Sequence, residues 1–218
     1  MEAAVCVAVG YFIGTVNPAY YFGKRKGFDI RKRGSGNAGA TNATLTMGSL
    51  IGAFCAILDI IKAFLAYRLV KIMFPAVHFA GILSGCACIL GHIFPVWMGF
   101  RGGKGLACLG GVILGYNWKL FCILLIFEVI LVLTVNYICV VAMSGSVIFA
   151  AMYGISTHDF VGTAALFIVA AIIQYKHIDN VKRIQAGTEF HVSYLWDKEK
   201  EIERVTKILG DERIDELF

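Results

Sequence analysis

The segment GSLIGAFCAILDIIKAFLAYRLV, residues 48–70, decides the fold class. It is apolar and long enough to cross the ~30 Å hydrocarbon core of a bilayer as one α-helix. Asp59 and Lys62 lie three residues apart inside it, so they would share one helix face. Similar apolar runs occupy residues 3–23, 77–94, 106–116, 119–135, 138–153 and 160–175. The sequence therefore predicts an all-α, polytopic membrane bundle of about seven transmembrane helices.

Composition and charge agree with this class. Hydrophobic residues make up 58% of the 218 residues, and only 16% are charged. The net charge of +5 arises mainly beside the apolar runs, so it indicates membrane topology rather than a nucleic-acid partner. Lys and Arg cluster in loops 24–46 and 95–105 and in the tail from residue 176. With seven spans, these loops share the cytoplasmic side and the N-terminus lies outside.

The end of the chain has a different composition. From Trp196 the sequence is strongly charged, and Ile202, Val205, Ile208 and Leu209 recur at helical spacing. This pattern predicts an amphipathic helix on the cytoplasmic surface, whose acidic content argues against strong attachment to anionic lipid. We therefore divide the chain into a membrane domain, 1–194, and a charged tail, 195–218.

The stretch GSGNAGATN, residues 34–42, lies just before the segment that decides the fold. Glycines let backbone N–H groups approach a ligand closely, and such groups in a concave turn attract anions. Four polar side chains add donors: Ser35, Asn37, Thr41 and Asn42. The stretch predicts a phosphate cradle at the membrane edge, with a flexible Gly/Ser loop as the alternative.

Two further clusters carry donors. GHIFP, residues 91–95, precedes FRGGKG, residues 100–105, in which Lys104 lies between glycines but without the spacing of a Walker A loop. HIDN, residues 177–180, places His177 and Asn180 on one helix face and precedes Arg183 and GTE, residues 187–189. Each alone could be an ordinary membrane-edge loop or helix end. Together the three clusters predict an electropositive phosphate pocket. They contain few carboxylates, and the sequence has no pair of cysteines at the spacing of a zinc site, so no metal site is expected.

These three clusters, in order and spacing across about residues 5–190, resemble those of the bacterial acyl-phosphate:glycerol-3-phosphate acyltransferases. The resemblance implies a seven-helix enzyme of the bacterial inner membrane, with its active site facing the cytoplasm. It implies transfer of a fatty acyl group from acyl phosphate to glycerol 3-phosphate, giving 1-acylglycerol 3-phosphate and phosphate, in phospholipid biosynthesis. No cofactor is implied. The implied partners are the two substrates, membrane lipid and an enzyme that produces acyl phosphate.

The resemblance also implies roles for particular residues. Those implied to be catalytic are Ser35, Lys104, His177 and Asn180. Those implied to bind substrate are Gly36, Asn37, Thr41, Asn42, Arg101, Gly102, Gly103 and Glu189. The glycine loops would cradle phosphate, Lys104 would neutralise its charge, and His177 with Asn180 would orient glycerol 3-phosphate. Glu189 would support its loop.

Three positions depart from the pattern that the resemblance leads us to expect. Leu45 and Asn136 stand where arginines are expected, and Ala142 stands where a serine is expected. Arginine is a natural bidentate phosphate ligand, so these changes bear on the acceptor site. They leave two alternatives open: a paralogue that acylates another polar acceptor, and a non-catalytic membrane protein that binds or transports lipid. No internal repeat of the transporter kind is visible.

Overall fold

A computed structural model describes residues 1–210, and these residues form helices joined by short loops, without strands. Ten α-helices occur in this part: α1 (Glu2–Gly14), α2 (Pro18–Arg25), α3 (Ala40–Met47), α4 (Ser49–Met73), α5 (Ala80–Ile93), α6 (Leu106–Tyr116), α7 (Trp118–Val135), α8 (Ile138–Thr157), α9 (Phe160–Gln185) and α10 (Lys198–Leu209). Short 3₁₀ turns lie at Ile30–Lys32, Val96–Met98 and Val192–Leu195.

Six segments within residues 1–210 are long and apolar enough to cross a membrane: Glu2–Arg25, Ser49–Met73, Ala80–Met98, Trp118–Val135, Ile138–Thr157 and Phe160–Gln185. The apolar helix α6, Leu106–Tyr116, is shorter. Large apolar side chains along α7 point outward, among them Ile123, Ile126 and Leu133. Such an outer surface suits lipid rather than water. The predicted all-helical, multi-pass membrane architecture is confirmed.

Several predicted span boundaries differ from the structure; α8, for example, continues past the predicted run 138–153 to Thr157. The predicted run 3–23 is divided between α1 and α2, because Pro18 lacks the N–H that would continue α1. The Asn17 side chain caps α2 by accepting the Tyr20 N–H at 2.8 Å. The last predicted run, 160–175, ends too early, since α9 continues to Gln185 and carries His177 in its helix. Polar side chains at a helix end do not stop the helix, which is why composition misplaced this boundary.

Helix α5 is the centre of the bundle, with nearly all of its residues buried. Small residues let α1 pack closely along it: a Cβ on Gly10 would lie 2.8 Å from the Ser84 carbonyl carbon, and one on Gly14 would lie 2.8 Å from that of Cys88. Helices α4, α6 and α9 also pack against α5. The C-terminal end of α5 therefore delivers residues 94–105 to one end of the bundle, beside the polar end of α9.

The predicted tail helix is present as α10. Val205 is fully buried and Glu201 nearly so, so one side of α10 packs against the protein. Residues 211–218 of the predicted tail lie outside the described part of the chain.

Candidate active site

The glycine loop that precedes α3 is held together by the buried side chain of Asn42. Its Nδ2 donates to the carbonyl oxygens of Ile30 and Arg33, each at 3.0 Å, and of Asn37 at 2.8 Å. Its Oδ1 accepts the Ser35 N–H at 2.8 Å. Asn42 was predicted to bind substrate, but in this structure its polar atoms serve the loop itself.

Two N–H groups of the predicted phosphate cradle have partners inside the protein. The Ser35 N–H is bonded to Asn42, and the Gly36 N–H donates to the Arg33 carbonyl at 3.0 Å. Phosphate binding by Ser35 and Gly36 therefore stays a prediction. Three polar side chains of the loop are accessible: Ser35 and Thr41 are exposed, and Asn37 is half-buried.

The loop around Lys104 lies directly on His92. The Gly103 N–H donates to the His92 carbonyl at 3.0 Å, and the Gly102 N–H donates to the Ile93 carbonyl at 3.0 Å. These two N–H groups hold the loop on the end of α5, and phosphate binding by Gly102 and Gly103 stays a prediction. A Cβ on Gly103 would lie 2.8 Å from Cε1 and 2.9 Å from Cδ2 of His92, and nearer still to Nε2. Glycine is required at this position so that the loop can approach the imidazole.

The two glycine loops are joined to each other. The Ala38 N–H donates to the Gly102 carbonyl at 3.4 Å, although the two residues are far apart in sequence. Asn17, which precedes α2, donates its Nδ2 to the Ala38 carbonyl at 2.8 Å. The first and second predicted clusters therefore lie side by side at one end of the bundle.

A buried charged cluster supports the His92 ring from behind. Lys62 Nζ lies 2.6 Å from Asp59 Oδ1 and 3.0 Å from His92 Nδ1, and it donates to the Val16 carbonyl at 2.5 Å. His92 Nδ1 lies 3.3 Å from Asp59 Oδ1. These three residues were not among the predicted site residues. The signal was a charged pair at i,i+3 inside an apolar run, because charges at such positions need partners.

The same cluster includes atoms that could ligate a metal. Atoms of Asp59, His92 and Cys108 lie within 4.8 Å of one another, and all three residues are buried. The Lys62 ammonium, at 2.6 Å from the Asp59 carboxylate, already supplies the cation at this place. The geometry therefore fits an internal ion pair better than a metal centre.

The second and third predicted clusters meet through a chain of polar contacts. Lys104 Nζ donates to Asn180 Oδ1, and Asn180 Nδ2 donates to Glu189 Oε1. Glu189 Oε2 accepts from Arg183 Nε at 2.6 Å. Asn180 and Glu189 are buried, and Lys104 is half-buried. Burial, with the nearby Arg183 guanidinium, lowers the pKa of Lys104 to about 8. An arriving phosphate would favour the charged form.

His177 is buried one turn from Asn180 on α9. Its Nδ1 lies 2.8 Å from the Ile173 carbonyl oxygen, which can only accept, so Nδ1 carries the hydrogen. The neutral ring then has its lone pair on Nε2. This tautomer can accept a proton from a hydroxyl group at Nε2.

Other predicted or noted positions lie apart from this chain of contacts. Arg101 is exposed, and Leu45 is half-buried on α3. Ala142 is fully buried in α8. Asn136 ends α7, and its Oδ1 accepts the Ser193 N–H at 3.0 Å. Position 136 therefore holds the segment that leads to α10.

Comparison with known proteins gives a consistent picture. A family model described as "Glycerol-3-phosphate acyltransferase" matches residues 4–187. A protein of that name from Lactiplantibacillus plantarum is 31% identical over 94% of this chain and 100% of its own length. One from Bacillus subtilis is 36% identical over 89% of this chain and 100% of its own length.

Two solved structures share the architecture. PlsY, an integral membrane glycerol 3-phosphate acyltransferase, in its glycerol 3-phosphate form gives a TM-score of 0.81 at 27% identity, covering 89% of this chain and 98% of that one. Its lysophosphatidic acid form gives a TM-score of 0.73 at 26% identity, covering 88% of this chain and 95% of that one.

Proposed function

Because this chain belongs to the glycerol-3-phosphate acyltransferase family, we propose that it transfers a fatty acyl group from acyl phosphate to glycerol 3-phosphate. The products are 1-acylglycerol 3-phosphate, a precursor of phospholipids, and inorganic phosphate. The observation that carries this proposal is the chain of contacts from Lys104 through Asn180 to Glu189. These contacts join the cluster at residues 100–105 to the cluster at residues 177–189. The two form one cationic site beside the glycine loop that contains Ser35.

The chemistry needs positioning and charge stabilisation more than a strong base. The acceptor hydroxyl oxygen attacks the acyl carbonyl carbon, a C–O bond to the glycerol forms, and the C–O bond to phosphate breaks. Phosphate is a good leaving group, and Lys104 stabilises the negative charge as it departs. Ser35 and Asn37 offer further donors from the adjoining loop, and Asn180 orients the acceptor.

The hydroxyl proton has two possible acceptors in this site. A phosphate oxygen of a substrate can take it directly, which requires no base from the protein. If the protein supplies the base, His177 is placed for it, since its Nδ1–H is held by Ile173 and Nε2 carries the lone pair. In the first case the proton stays on that phosphate group, and in the second the His177 imidazolium passes it to the released phosphate.

We place the protein in the bacterial inner membrane with this site facing the cytoplasm. Ala38 bonds to Gly102, and Lys104, in the same loop as Gly102, bonds to Asn180 near the end of α9. Asn136 bonds to Ser193, which follows α9. These loops therefore lie at one end of the bundle. An even number of crossings must therefore separate successive loops. Only α6 and α7 lie between the loop that contains Gly102 and the loop that contains Asn136, so both helices must cross. This supports α6 as a seventh, short crossing, where the bilayer thins locally.

The orientation is tested by single-cysteine labelling in a cysteine-free background. Cysteines placed at Arg33 and Arg101 should both react from the cytoplasmic side. Labelling of the two positions from opposite sides would overturn the seven-span arrangement.

The reaction is tested with purified protein and defined substrates. Phosphate release should require both acyl phosphate and glycerol 3-phosphate. An acyl-phosphate-producing enzyme should serve as a coupled source of the donor. Equal turnover with acyl-CoA would overturn the assigned donor.

A second candidate is acylation of a different polar acceptor. It is favoured by Leu45, Asn136 and Ala142, since two expected arginines and one expected serine are replaced. A panel of acceptors in the same assay distinguishes it, because an uncharged alcohol should then support faster phosphate release than glycerol 3-phosphate does.

A further inference from the structure

The helix α10 reaches back to the loop that carries Glu189. Arg204 Nη1 donates to the Gly187 carbonyl at 2.5 Å, and Arg204 Nη2 donates to the Glu189 carbonyl at 2.6 Å. From these contacts we propose that Arg204 is a positioning residue, which fixes the Glu189 loop and through it Lys104. The inference deepens the proposed function and rests on it for its catalytic part.

Arg204 is itself held in place by a buried carboxylate. Glu201 Oε2 lies 3.0 Å from Arg204 Nη2 and 3.2 Å from Nε. The other Glu201 oxygen lies 2.8 Å from His191 Nδ1, and His191 Nε2 lies 3.0 Å from the Tyr137 hydroxyl. Burial raises the pKa of Glu201, but hydrogen bonds from Arg204 and His191 outweigh it and hold the pKa below its usual value. The guanidinium therefore meets an ionised partner that fixes its planar fork.

The loop lies between α9 and α10. On the α9 side, the Thr188 and Glu189 N–H groups donate to the Arg183 carbonyl at 2.8 and 3.2 Å. On the α10 side, Arg204 binds the carbonyls of the same loop, and Ile208 Cδ1 lies 3.3 Å from the place a Gly187 Cβ would take. Removing the Arg204 bonds leaves the α10 side of this loop with the Ile208 contact and the His191–Glu201 bonds, and without a hydrogen bond to the Gly187 and Glu189 carbonyls.

Movement of the Glu189 loop would change the position of Lys104 through the contacts of Asn180. The Glu189 carboxylate fixes the Asn180 amide, and the Asn180 oxygen accepts from Lys104. If the carboxylate shifts, the amide loses the partner that sets its orientation. A misplacement of about 1 Å can lower a reaction rate by about 10²-fold, so a loop contact outside the site can affect the reaction there.

Arg204 and Glu201 belong to a part of the chain that the family model does not match. The match ends at residue 187, whereas Glu201 and Arg204 lie beyond it. Asn136, where an arginine was expected, attaches this part to the bundle: its carbonyl accepts the Val192 N–H at 2.9 Å and its Oδ1 accepts the Ser193 N–H at 3.0 Å. Asn136 therefore helps to hold the segment that precedes α10 against the bundle.

Two measurements test the proposal on the full-length chain, with Lys207→Ala as the matched control. Lys207 lies on the same helix, but its ion pair with Glu203 is largely exposed. The first measurement is hydrogen–deuterium exchange of the amides in residues 186–190, which needs no activity. Arg204→Ala should speed exchange there about tenfold or more, while Lys207→Ala should not. Unchanged exchange in Arg204→Ala would overturn the positioning role, whatever reaction the protein catalyses.

The second measurement is steady-state kinetics with glycerol 3-phosphate and acyl phosphate. Arg204→Ala should raise the acceptor KM about tenfold, because Asn180, which orients the acceptor, loses the carboxylate that fixes its amide, while the donor KM should change little. Arg204→Lys, which keeps the charge without the fork, should recover part of the loss. A double variant with Glu189→Gln should be no worse than Glu189→Gln alone, because both act through one carboxylate.

The outcomes separate the two proposals. Additive losses in the double variant, or equal effects on both substrates together with a lower Tm, would reduce Arg204 to a general structural role and overturn the inference. Absence of acylation by the wild-type protein would instead overturn the proposed function, and the exchange measurement would still decide whether Arg204 holds the loop.

Discussion

Replacement of Gly103 by alanine tests whether the contact between the Lys104 loop and His92 matters for catalysis. The new methyl group would lie 2.8 and 2.9 Å from two ring carbons of His92, whereas carbon atoms pack at about 3.5–4.0 Å. The ring cannot turn aside easily, since Nδ1 is held by Lys62 and Asp59. The loop must therefore move by roughly 1 Å, and Lys104 moves with it.

From this displacement we expect kcat/KM to fall about 10²-fold, the usual effect of misplacing a catalytic group by about 1 Å. Overpacking should also lower the free energy of unfolding by about 1–3 kcal/mol. The assay is phosphate release from acyl phosphate in the presence of glycerol 3-phosphate, with Tm measured alongside. Gly110→Ala is the matched control, because its Cβ would meet no atom nearer than 3.7 Å. Wild-type kcat/KM in a folded Gly103→Ala protein would refute the reasoning.

Three further predictions concern charge at the site. Lys104→Ala should lower kcat/KM about 10²–10³-fold. Lys104→Arg should retain only part of the wild-type kcat/KM, because the planar guanidinium needs more room than an ammonium group. Wild-type activity in both variants would show that Lys104 does not belong to the site. Since the pKa of Lys104 is lowered to about 8, raising the pH through this value removes the charge that stabilises the departing phosphate, so kcat/KM should fall in wild type but stay level in Lys104→Arg. A wild-type kcat/KM that is flat on both sides of that pH would contradict this. Leu45→Arg should lower the KM for glycerol 3-phosphate with little effect on the donor KM, and should do nothing or inhibit with an uncharged acceptor. An unchanged KM in a correctly inserted variant would show that position 45 does not control acceptor choice.

The sequence predicted most of the fold because apolar run length reports directly on membrane helices. The run 106–116 coincides with α6, and the run 119–135 differs from α7 by a single residue at its start. Boundaries at polar ends were less predictable, since α9 continues through Lys176 and His177 to Gln185, beyond the predicted end at residue 175. Periodicity indicates which residues are apolar, but not where a polar helix end stops.

Residues of the candidate site could be named from the sequence, but their contacts could not. Lys104, Asn180 and Glu189 were named from motifs, and the structure brings them together. The bonds of Asn42 and the support of His92 by Asp59 were not predicted. Hydrogen-bond partners in a glycine loop depend on local dihedral angles, and the Asp59–His92 contact depends on how α4 packs against α5. Neither is encoded in residue type or spacing alone.

The pairing of Asp59 with Lys62 on a single helix has a consequence for how the protein enters the membrane during synthesis. An isolated aspartate or lysine at the centre of an inserting helix costs about 2.5–3.5 kcal/mol. The two side chains are separated by 2.6 Å within one turn of α4, so they can neutralise each other as soon as that helix has formed. His92 emerges from the ribosome later, on α5. The central turns of α4 can therefore pass from the translocon into lipid with their two charges neutralised, before the buried partner His92 has been made.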